Sequence, residues 1–93
     1  MRVVVYIAPF PMVATLKFAR ALASLDNIQL IGIFQKPPNP KQASIFTRII
    51  TVKDAFRLDL LTKAIQQIQV HYGSVHRIVG ILEQLQEPIA LLR

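Results

Sequence analysis

Arg2-Val3-Val4-Val5-Tyr6-Ile7-Ala8-Pro9-Phe10-Pro11-Met12 is the stretch whose reading decides the fold. Val3 to Ile7 is continuously apolar and rich in β-branched residues. A strand wetted on one face alternates apolar with polar positions. A run without that alternation is buried on both faces, as in the middle of a parallel sheet. Pro9 and Pro11 lack the amide donors a ladder needs, so the strand stops there. Pro11 also carries the fixed φ that suits a first helical position. The helix then follows: Met12, Leu16, Ala19, Leu22 and Leu25 recur at helical spacing, while Lys17, Arg20 and Ser24 fall off that stripe. Asp26-Asn27 reads as its stop, because asparagine tolerates a left-handed cap.

Working outward, the alternation continues. Ile28 to Phe34 is a second apolar run, interrupted by Gly32 alone. Gln35-Lys36-Pro37-Pro38-Asn39-Pro40-Lys41 reads as an exposed connection that is neither helix nor ladder, since its prolines remove donors and fix φ. Arg48 to Val52 is a short third strand. Asp54 or Asp59 is expected to cap the next helix. In that helix Leu60, Leu61, Ala64, Ile65, Ile68 and Tyr72 make one face, Lys63, Gln66, Gln67 and Gln69 the other, and Gly73 is the stop. His76 to Leu82 reads as a fourth strand. Glu87-Pro88 opens a last helix that Ile89 to Arg93 leaves unfinished. The order β-α-β-β-α-β-α predicts an α/β fold: an open, mainly parallel four-stranded sheet flanked by helices, with right-handed crossovers.

The 93 residues suffice for one domain, spanning 1–93. With 53% hydrophobic residues, 17% charged residues and a mean hydropathy of +0.42, the chain is more apolar than average. Such a composition means either that nearly every element is buried on more than one side or, the favoured reading, that apolar surface meets another domain or subunit, a homodimer among the options. The absence of cysteine excludes disulfides and thiolate chemistry and fits a cytoplasmic protein. No apolar run reaches the ~20 residues of a membrane-spanning helix. The net charge of +6 invites an anionic partner. The basic residues are scattered without aromatic interleaving, however, which argues against nucleic acid.

Ligands of open parallel sheets gather at the carboxyl ends of the strands. That geometry selects Ala8-Pro9-Phe10, Gln35-Lys36 and Leu82-Glu83-Gln84. The turn after the first strand has no G-x-G-x-x-G, which argues against dinucleotide binding, and the chain's three glycines, Gly32, Gly73 and Gly80, make no P-loop. His71 and His76, remote from the acidic residues, do not make a metal set. Ser24, Ser44 and Ser74 lack a nucleophile elbow or an arranged base. Glu83, just past a buried strand, is the carboxylate singled out. It either contacts a substrate amine or partner domain, or is an ordinary solvated or helix-capping group. No residue qualifies as catalytic.

Three stretches carry a family resemblance: Arg2 to Ala8 with the helix ending in Ala21-Leu22-Ala23, Ile49 to Asp54 leading into Leu60 to Ile65, and Val75 to Arg93 with Glu83 inside it. Together they resemble the N-terminal, Rossmann-like pre-ATP-grasp domain of the ATP-grasp ligases. The resemblance implies a substrate-side domain of a longer carboxylate–amine ligase, inactive alone, with ATP and Mg2+ held by the remaining domains or another subunit. It implies that Glu83 and the Pro9-Phe10 turn border the substrate cleft, and the strand-end rule adds Lys36 to these cleft candidates. The first turn departs from the family in lacking the glycine many members carry there. The competing expectation is a stand-alone α/β interaction module that dimerises through its apolar surface.

Overall fold

The computed structural model describes residues 2–80. The expected fourth-strand residues 81 and 82, Glu83 and the Glu87-Pro88 helix entry lie outside the described residues. The elements run β1 (Arg2–Ala8), α1 (Val13–Ala23), β2 (Ile28–Phe34), α2 (Pro40–Ala43), β3 (Arg48–Thr51), α3 (Leu58–Tyr72) and β4 (Val75–Val79). The strands form one sheet in the order β3-β2-β1-β4, and every pairing is parallel. The fold is therefore an open α/β sheet of the Rossmann-like kind. No helix among the described residues is long and apolar enough to cross a membrane.

The double-sided burial predicted for the first strand is present. Val3 to Ala8 are all buried. Odd positions Val3, Val5 and Ile7 join Ile31, Ile33 and Ile78 under α3, which contributes Leu61, Ala64, Ile65 and Ile68. Even positions Val4, Tyr6 and Ala8 join Leu30, Phe34 and Phe46 under α1, which contributes Leu16 and Ala19. Successive side chains of a strand point to opposite faces, so one run of sequence supplies two cores. Full burial of each such aliphatic side chain is worth roughly 1.5–3 kcal/mol. The outer strands are shorter and more polar, with Arg48 on β3 and His76 and Arg77 on β4 exposed.

Several local expectations hold. Asn27 is left-handed with φ 61° and its own carbonyl accepts from the Arg2 amide at 2.7 Å, although Asp26-Asn27 is not the helix stop, since α1 already ends at Ala23 with Ser24 as its cap. Gly73 ends α3 at φ 91°, and its amide donates to the Gln69 carbonyl at 3.0 Å. Others need correction. The proline segment was expected to exclude helix, yet Pro40 begins α2. Proline needs no donor in a first turn, and Asn39 closes a capping box: its side chain accepts from the Gln42 amide while the Gln42 side chain accepts from the Asn39 amide. Pro38 is buried, so this segment is not wholly exposed. Pro11 does not start α1, because Met12 is the extended residue ahead of the helix. Met12 and Leu25, predicted for the buried stripe, are 53% and 55% exposed because α1 covers the sheet with Thr15, Leu16 and Ala19. Neither aspartate caps α3. Arg57 occupies the cap position without a side-chain bond, Asp54 Oδ1 accepts from the Phe56 amide at 2.9 Å, and Asp59 pairs with Arg57 at 2.8 Å.

Candidate functional site

The strand order decides where a ligand edge lies. Chain direction along the sheet reverses between β1 and β4: β1, β2 and β3 step one way, and β4 returns to the other side of β1. In open parallel sheets the crevice at the carboxyl ends of two such strands is the habitual ligand position. Among the described residues, that carboxyl edge is formed by the turn that leaves β1, the end of β4 and, beside them, the connection leaving β2. Tyr6 pairs with Val79, so β1 reaches two residues further along this edge than the pairing with β4 does.

Three of the four residues expected to border a cleft are brought together. Pro9 is buried, and its carbonyl accepts from the amides of both Gln35 and Lys36, at 3.0 and 2.9 Å. This double bond pattern ties the two turns because Ala8 and Phe34 end in register. Phe10 is exposed, and the Lys36 ammonium stands 6.0 Å from its ring centroid, at the outer reach of a cation–π contact. Glu83 lies outside the described residues.

Gln35 has a role that its position in a proline-rich connection hid. Its side-chain oxygen accepts from the Ala55 amide at 3.2 Å, across to the turn between β3 and α3. The Val52 amide donates to the Phe34 carbonyl at 2.9 Å in the same region. The three turns at the carboxyl edge are thus laced in sequence, β1 to β2 through Pro9 and β2 to β3 through Phe34 and Gln35. A polar residue directly after a buried strand is the only signal in the sequence for it.

The chemistry of this edge is limited to positioning. Lys36 supplies a point charge, and the first turn of α1 carries no side-chain cap and no acidic residue, which leaves its partial positive charge unopposed. Pro9 and Pro11 hold the backbone of the turn away from any close approach that a glycine would permit. Among the described residues, no set fits ATP–Mg2+. The carboxylates among the described residues are Asp26, Asp54 and Asp59, and no three metal-ligating side chains gather among those residues. Asp54 and Asp59 already serve the Phe56 amide and Arg57. His71 closes α3 and His76 sits on β4, both exposed. The hydroxyls of Ser24 and Ser44 donate to Ala21 and Lys41 carbonyls at 2.7 Å, as helix-end serines do.

One further polar group is buried. Tyr6, on the α1 side of the sheet, donates its hydroxyl to the Thr15 carbonyl at 3.1 Å, and burial pushes its pKa up to about 12. A phenol held neutral and spoken for by a helix carbonyl is a structural group.

The chain matches no protein-family model and no curated protein, so its functional reading stands on the parallel sheet, the switch between β1 and β4, and the joined Pro9–Phe10 and Gln35–Lys36 turns.

Proposed function

We propose that this chain is the N-terminal, substrate-side domain of an ATP-grasp-type carboxylate–amine ligase and that it has no catalytic activity alone. The observation that carries the proposal is the meeting of Pro9, Phe10 and Lys36 at the carboxyl edge, beside the point where strand order reverses. Such an edge offers a cation, an aromatic face and a rigid turn, which suit holding a substrate. Among the described residues it offers no arranged acid–base pair and no cradle for a triphosphate. Nucleotide and magnesium then belong to other domains or another subunit, and Pro9, Phe10, Lys36 and Glu83 form the near wall of the cleft.

Calorimetry with MgATP on the 93-residue chain tests this division of labour. The expected result is no binding tighter than millimolar and no ATP hydrolysis. Tight, magnesium-dependent binding would overturn it.

A second reading is favoured by a different observation. On the α1 side of the sheet, Val13 is 75% exposed at the start of α1, and Leu25, two residues past its end, is 55% exposed. Exposed apolar area of this kind suits an interaction module that pairs with a second copy. Sedimentation equilibrium distinguishes the two: a dimer that Val13→Asp converts to a folded monomer supports the module, and a monomer at high concentration removes it.

A further inference from the structure

We draw no further inference here: the strongest candidate, the groove of about 720 Å³ that follows β4 between α1 and α3 and is walled by Phe18, Leu22, Ile65 and Val79, carries nothing because nothing in the structure shows what covers it.

Discussion

The two faces of the sheet are built from different materials. Under α3 the core is aliphatic: Val3, Val5, Ile7, Ile31, Ile33, Leu61, Ile65 and Ile68 fill it, and among the described residues no buried polar side chain belongs to it. Under α1 the core is aromatic. Phe46 meets Phe34 and Tyr6 edge to face, with centroids 5.4 and 6.4 Å apart, and Phe18 meets Tyr6 at 5.9 Å. The aliphatic face is specified by volume, which many shapes can supply. The aromatic face is specified by direction, through ring edges, one hydroxyl and one glycine. Gly32 is the price of that arrangement. A Cβ there would stand 2.8 Å from Phe34 Cε2 and 3.0 Å from Phe46 Cδ1.

The contrast can be strained from either side. The largest effect is expected on the aliphatic face. Leu61→Ala removes a fully buried side chain beneath α3, and the loss of transfer energy plus the residual cavity costs about 2–5 kcal/mol. Urea unfolding measures it; a loss below roughly 1 kcal/mol, well under that range, would mean that this core collapses around the gap.

Gly32→Ala comes next. The added methyl meets a ring that cannot swing away, because Phe34 is fully buried and abuts Phe46. Overpacking of this kind costs about 1–3 kcal/mol. Trimming the obstacle in a Gly32→Ala, Phe46→Leu double variant should cost less than the two single changes summed. Strict additivity of the two would show that the rings are not what excludes the methyl.

Tyr6→Phe is the smallest. At neutral pH it removes one hydrogen bond to the Thr15 carbonyl, worth about 0.5–1.5 kcal/mol. Its pH dependence is the sharper test. The folded-state pKa is raised from 10.0 to about 12 by burial, so the folded chain holds a proton that the unfolded chain releases. The stabilisation is complete below pH 10 and is lost as pH rises through about 12. The difference in stability between wild type and Tyr6→Phe should therefore shrink or reverse across that window. A gap that stays constant from pH 9 to 12 would place the hydroxyl in contact with water.

Much of the aliphatic face was legible in the sequence, because it rests on periodicity. Val3 to Ile7, Ile28 to Phe34 and the stripe through Leu61, Ala64, Ile65 and Ile68 each announce their element by spacing alone. The aromatic face was less so. Phe46 lies in an irregular stretch between α2 and β3, and its burial depends on Gly32 leaving room above a distant strand. Helix α2 was missed for a related reason. Proline argues against helix everywhere except the first turn, and the Asn39–Gln42 capping box that turns the exception into the rule needs two side chains read together.

The candidate site divides the same way. The rule of strand ends selects Pro9, Phe10 and Lys36, which follow the ends of β1 and β2. That they touch depends on β2 lying beside β1 in register, Ala8 against Phe34, which spacing along the chain does not encode. The reversal between β1 and β4 is likewise a property of strand order. Glu83 was chosen by the same rule and lies outside the described residues.

The all-parallel pairing also governs how quickly the molecule can reach its native state. Among the described residues no two neighbouring strands are joined by a hairpin, so none of these strand pairs can form locally and then recruit the rest. Val5 must find Ile31 beyond a whole helix and Ile78 near the far end of the described chain. Long loops must close before any of this pairing is rewarded, which slows folding and lengthens the life of open intermediates. During that time Val3 to Ile7 is a bare, β-prone apolar segment with no charge inside it, the composition from which intermolecular β-aggregates grow. The central strand that organises the finished domain is thus also its main hazard on the way there, and dilute, cool refolding should recover more of the chain than concentrated, warm refolding.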